Sequence, residues 1–141
     1  LASVDQHGNP HASTVYFGVD DMLNITFTTK RDTEKHKNIE NHSAVMLATY
    51  DASNQATVQA SGRAVEVHDN DEVQAIFQST VHAAQTTGVD VVPPIAKISA
   101  GPYVAYKISP DNIWMTVYGW GDNFAHALKH AADDESTADP A

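Results

Sequence analysis

Cysteine is absent from the 141 residues, which excludes disulfides and thiolate metal sites and fits a reducing compartment. Cations are scarce: eight Lys and Arg stand against 18 Asp and Glu, a formal charge of -10. That balance excludes the broad basic face that nucleic acid demands and opposes adhesion to anionic membranes. No apolar run approaches the roughly 18 residues of a membrane-spanning helix. No charged-then-apolar leader is visible within the sequence, which opens Leu-Ala-Ser-Val-Asp without a methionine. A cytoplasmic location is therefore expected. Also missing are a Gly-x-Ser-x-Gly elbow, a Walker phosphate loop and a dinucleotide glycine fingerprint. A 42% hydrophobic content at this length points to one domain with a substantial core.

What is present reads mostly as strands. "LASVD" ends a strand and "QHGNP" turns it. "HASTVYFGV" alternates as a second strand, Asp20 and Asp21 mark a hairpin turn, and "LNITFTT" is a third strand rich in β-branched residues. Asp32 or Thr33 caps a short helix reaching about His42. "AVMLATY" is an apolar strand, turned at Asp51 to Asn54. "ATVQASGRAVEVHD" is a long one, with Gly62 marking a bulge or a close backbone approach. Asp69 or Asn70 caps a second helix whose Val73, Ile76, Phe77 and Val81 form an apolar stripe, ending near Gly88. After the irregular "VVPPIAKISAGP" come two strands, "YVAYKIS" and "NIWMTVYG", across a turn at "SPDN". Residues 1–121 form the domain; 122–141 are expected to be a helix fragment and a disordered acidic tail. Six or seven antiparallel strands with two inserted helices make a mainly-β barrel or sandwich.

One stretch breaks the charge pattern. "TFTTKRDTEKHKN" holds Lys30, Arg31, Lys35 and Lys37, half of all Lys and Arg within eight positions. A helix N-terminus there offers free N–H groups and a partial positive charge. With Thr28, Thr29 and Thr33 as hydroxyl donors, the stretch suits a phosphate. The alternative is a solvated helix start in which Lys35 and Lys37 pair with Glu34, Glu40 or Asp32. His126 and His130, four apart in "HALKH", would share a helical face for a metal, yet no glutamate stands between them and a surface helix explains them equally. His7, His11, His36, His42, His68 and His82 have no useful mutual spacing. Trp114, Tyr118 and Trp120 suit a core or a dimer seam, or a stack on a planar ring.

These segments together resemble the FMN-binding split barrels related to pyridoxamine 5'-phosphate oxidase. The likeness rests on "LASVDQHGNPHASTVYF", "ITFTTKRDTEKHKNIENHSAVMLATY" and "TVQASGRAVEV", over roughly residues 1–118. It implies a six- to seven-stranded antiparallel split β-barrel that dimerises, with FMN in a groove between subunits. Ser13, Thr14 and Val15 match the second-strand segment beside the flavin. Thr28 and Thr29 match the strand end at the ring or phosphate, Thr33 and Lys35 the phosphate-holding hydroxyl and lysine, and Thr57 a position that often touches the flavin. Glu34 replaces a common arginine, as do Ser13 on the second strand and Gly18 for a basic residue; Lys30 and Arg31 are candidates to supply the missing charge. The substrate-gripping C-terminal arginines of true oxidases are absent, which implies the general-stress-protein-like branch. The resemblance thus implies a cytoplasmic homodimeric flavoprotein oxidoreductase acting on an unknown small molecule. A non-enzymatic flavin-binding or stress-response module, or a barrel holding haem or a deazaflavin, are the alternatives. Haem would draw an axial ligand from His126 or His130.

Overall fold

A computed structural model of the chain describes residues 1–88 and 102–118, and the backbone alone of 124–129. Short aspartate-to-asparagine turns shape its first two hairpins. Strand β1 (Ala2–Val4) pairs antiparallel with β2 (Pro10–Ala12). Between them the Asp5 carboxylate accepts the N–H groups of His7 and Asn9 at 2.8 Å and the Asn9 amide at 2.9 Å. Gly8 takes the left-handed conformation (φ 85°) that a side chain resists. The device recurs between β3 (Phe17–Val19) and β4 (Ile25–Lys30). There Asp20 accepts from the Met22 and Asn24 N–H groups and the Asn24 amide, at 2.8–2.9 Å. A short carboxylate thus stands in for a backbone turn.

The expected single strand at "HASTVYFGV" is split. Its ends belong to β2 and β3, while residues 13–16 lie in neither. The strands run in the order β2-β1-β5-β6-β7-β4-β3, where β5 is Ala44–Asp51, β6 is Ala56–Val67 and β7 is Tyr103–Val117. The two halves of that segment therefore occupy opposite ends of the path. In a flat sheet they would stand about 29 Å apart, at roughly 4.8 Å per strand. The five Cα steps from Ala12 to Phe17 reach at most about 18 Å. The sheet must curl, and these antiparallel strands form the mainly-β split barrel with two inserted helices that the sequence implied.

Alternation sends Ile25 and Phe27 of β4, Val45 and Leu47 of β5, and Val104, Tyr106 and Ile108 of β7 into one buried cluster. Ile39 of helix α1 (Glu34–Asn41) joins them. Helix α2 (Asn70–Gln85), capped by Asp69, packs on β3 and β4. Its buried residues are Ile76, Thr80 and Ala84; of the predicted stripe, Ile76 is among them and Phe77 stacks on Tyr103 at 4.7 Å.

Two strand predictions change. "SPDN" is not a turn: β7 runs unbroken through it for 15 residues. Opposite it, Ser61 pairs with Asn112 and Gly62 with Pro110, so Asp111 is the extra residue of a bulge. That irregularity accommodates a proline with no N–H to give the ladder. The predicted helix fragment after residue 121 begins instead with a strand, β8 (Phe124–Lys129), paired to Asn112–Val117 of β7. β4 covers β7 only as far as Ile108, and the remaining edge takes another strand. His126 is thus on a strand opposite Met115. His130, Trp120, most of "VVPPIAKISAGP" and the acidic tail lie outside the described residues.

Gly62 is the tightest point of the bulge. A Cβ there would lie 2.7 Å from the Ser109 carbonyl and 3.2 Å from the Pro110 Cα, both backbone atoms. At Gly18 the obstruction is the Ser79 hydroxyl, which can rotate away. Gly62→Ala should cost about 1–3 kcal/mol in urea unfolding, and Gly18→Ala less than about 1 kcal/mol. Equal costs would contradict the rigid contact at the bulge.

Candidate functional site

Strand β4 ends where α1 begins, and its last residues Thr28, Thr29 and Lys30 are all buried. Thr33 caps α1, accepting the His36 N–H at 3.3 Å. The hydroxyl protons in this corner follow by elimination. The Lys30 carbonyl can only accept, so Thr33 Oγ1 donates to it at 2.8 Å. Thr33 must then accept from Thr29 Oγ1 at 3.1 Å. Thr29 accepts in turn from Lys35 Nζ, also at 3.1 Å. The lysine uses one of its ammonium protons here, and no other acceptor among the described residues takes the rest.

Lys35 is only partly exposed, and burial pushes its pKa below the ordinary lysine value. No carboxylate among the described residues pairs with it. Glu34, which stands where an arginine was expected, turns instead to Lys37 at 2.8 Å in an exposed pair. That hydrogen bond, more than the charge itself, lowers the Glu34 pKa. Arg31 does not supply the missing charge to this corner. Its guanidinium holds Glu66 at 2.7 Å.

The other predicted residues are spread more widely. Alternation puts Thr28 and Lys30 on the face of β4 opposite Thr29. This is the face α2 covers, since a Cβ on Gly18 would touch both Ser79 of α2 and Thr26 of β4. The Thr28 hydroxyl is buried there without a partner. Ser13 begins the link from β2 to β3, and its hydroxyl too is buried and unpartnered. The Leu1 N–H donates to the Ser13 carbonyl at 2.8 Å. Thr14 is exposed and Val15 packs against the core.

Thr57 lies elsewhere in the chain. It pairs with Thr116 of β7, whereas Thr29 pairs with Val104. Those partners are 12 positions apart along β7, about 40 Å of strand contour. Around Thr57, the residues Met46, Gln59, Trp114 and Thr116 line a shallow depression of about 330 Å³ on the outer sheet face. Trp114 and Tyr118 are 40% and 56% exposed, so neither is part of the single-chain core.

Thr29, Thr33 and Lys35 thus converge at one corner. Ammonium protons that no described residue accepts and the first turn of a helix are a donor set for a phosphate monoester, and they fit that of FMN. The family model for pyridoxamine 5'-phosphate oxidase matches residues 1–116. The chain belongs to that family. Among solved structures it resembles a pyridoxamine 5'-phosphate oxidase-related, FMN-binding protein from Nostoc punctiforme, with 13% identity, TM-score 0.59, and coverage of 91% of this chain and 85% of that one. A haem-binding protein from Mycobacterium smegmatis shows 15% identity and TM-score 0.64, over 92% of this chain and 51% of that one. An F420 reductase shows 23% identity and TM-score 0.58, over 79% and 84%. At these identities the likeness is one of fold. No curated protein sequence matches the chain.

Sequence reasoning missed the contact beneath this corner. His36 is 3% exposed, with Nδ1 2.7 Å from the Tyr106 hydroxyl and Nε2 3.4 Å from Glu40. The spacing of His36 and Glu40 was a local clue; Tyr106, 70 residues away, offered none.

Burial lowers the folded-state pKa of Lys35, so the folded chain holds that proton less tightly than the unfolded one. The cost is present in full below the folded pKa and fades as pH rises through it. Lys35→Met should therefore stabilise the ligand-free protein at pH 7, by no more than about 1 kcal/mol because solvent screens a partly exposed charge. Thermal melts should show that gain shrinking by pH 10. A loss of stability at pH 7 would contradict the uncompensated charge.

Proposed function

We propose that the chain is an FMN-binding flavoprotein, acting as a cytoplasmic homodimer in the oxidation or reduction of a small molecule. The observation that carries this reading is the Lys35–Thr29–Thr33 chain, a partly buried cation with no carboxylate among the described residues. Lys35 would meet the phosphate charge with its unused N–H groups, while Thr33 and the first turn of α1 orient it. Bound FMN would supply two-electron redox chemistry at its ring, and the protein would supply position and electrostatics. The unpartnered Ser13 hydroxyl would satisfy a polar atom of the same ligand. Family membership supports the cofactor class, and the Nostoc structure's FMN-binding description supports the choice within it.

The separation of Thr57 from this corner supports the homodimer. A second subunit that laid its Thr57–Trp114 face across the groove would complete the site, and the exposed Trp114 and Tyr118 give that face apolar area to bury. No helix among the described residues is long and apolar enough to cross a membrane.

A phosphate contact acts only where the phosphate is. Lys35→Ala should weaken FMN about 10- to 100-fold, the worth of a charge-assisted hydrogen bond, and leave riboflavin nearly unchanged in fluorescence titrations. Equal weakening of both ligands would remove Lys35 from the phosphate. Spectral titration with haem and a deazaflavin tests the alternative cofactors directly; tight saturable binding of either with no FMN binding would replace this reading. Sedimentation should give a dimer that Trp114→Glu dissociates at low micromolar concentration.

A further inference from the structure

The phosphate corner depends on how the first turn of α1 is held against the barrel. Three elements meet at His36. Its N–H is capped by Thr33 Oγ1 at 3.3 Å, its chain neighbour is Lys35, and its ring reaches the Tyr106 hydroxyl at 2.7 Å. Tyr106 is rooted in the barrel core, 2% exposed and stacked on Phe27 at 5.4 Å between ring centroids. Phe27 is two residues before Thr29 on the same face of β4. One imidazole therefore joins the cap, the lysine turn and the strand that carries the third member of the cluster.

We propose that His36 is a positioning residue for the phosphate site, held as the neutral Nε2–H tautomer between Tyr106 and Glu40 so that Thr33 and Lys35 meet Thr29. The inference rests on the phosphate reading above. Its proton assignment follows from the partners. Burial, followed by the charges of Glu66 and Glu40, pushes the Tyr106 pKa up to about 12, so the phenol keeps its proton. That buried O–H needs an acceptor, and the one it meets is His36 Nδ1. The ring proton then belongs on Nε2, which faces the Glu40 carboxylate at 3.4 Å. Protonating Nδ1 would leave the phenol proton facing another donor. The charged groups around this contact are Glu40 on the same helix, with Glu66 of β6 and its partner Arg31 acting on Tyr106 from the sheet.

The test compares His36→Leu, which removes the acceptor, with His36→Asn, whose amide oxygen can take the place of Nδ1, and with Tyr106→Phe. The readout is the ratio of riboflavin to FMN dissociation constants at pH 7, with nitrogen NMR of the His36 ring in the ligand-free protein. His36→Leu and Tyr106→Phe should each lower the ratio about tenfold, mainly by weakening FMN, and the double variant should lose no more than either alone. His36→Asn should restore most of the ratio, and NMR should find Nδ1 unprotonated. An unchanged ratio, or equal weakening of both ligands, overturns the positioning role. A proton on Nδ1 overturns the tautomer. If the wild-type protein does not prefer FMN over riboflavin, the phosphate reading fails, and the positioning role with it; the NMR result stands apart from both.

Discussion

A link of four residues, 13–16, joins the two ends of the main sheet path and is far shorter than the width that path would have if flat. Everything else follows from that mismatch. The sheet has to close, closure gives the strands an inside, and the inside is filled by one alternating set of side chains from β4, β5 and β7. The same closure carries the end of β2 towards the point where β4 stops and α1 starts. Without it, Ser13 and Lys35 would belong to opposite margins of an open sheet.

The corner formed there is held by polar contacts that run in one direction. Lys35 donates to Thr29, Thr29 to Thr33, and Thr33 to the Lys30 carbonyl. Each hydroxyl has one proton to give, so the chain leaves surplus donors only at the lysine. Among the described residues no carboxylate pairs with Lys35: Glu34 is taken by Lys37, and Arg31 by Glu66. A chain with a formal charge of -10 repels a phosphate dianion at long range. Screening weakens that repulsion beyond about 10 Å, and at contact a partly desolvated ammonium dominates. A lysine in the first turn opposes the helix dipole when no anion is present. An anion bound there would offset that cost and the burial cost alike.

Where sequence reading succeeded, the signal was local. The Asp20 and Asp51 turns, the Thr33 cap and the β-branched strand β4 all depend on residues within a few positions of one another. Where it failed, the deciding partner was distant. "HASTVYFGV" alternates like one strand, but its halves pair with β1 and β4, so the middle has no ladder to join. "SPDN" has turn composition, yet the long β6 opposite it holds β7 extended through the proline. "HALKH" has helical histidine spacing, yet its first four residues, 126–129, pair as strand with β7.

The sequence by itself determined the fold class, the cationic stretch and the residues Thr29, Thr33 and Lys35, because strand alternation, capping chemistry and charge scarcity are written in short windows. Family membership over residues 1–116 accords with that reading. Tertiary structure alone decided which of those residues lie in contact. Strand alternation could separate Thr28 and Lys30 from Thr29, but only the packing of α2 shows what covers their face. Register along β7 moved Thr57 to the far end of the sheet, and the pairing of Glu34 and Arg31 elsewhere left Lys35 as the cation of the corner. The His36–Tyr106 contact spans 70 positions and exists only because closure brings α1 against the barrel core. Contacts of that range arise from geometry that no local window contains.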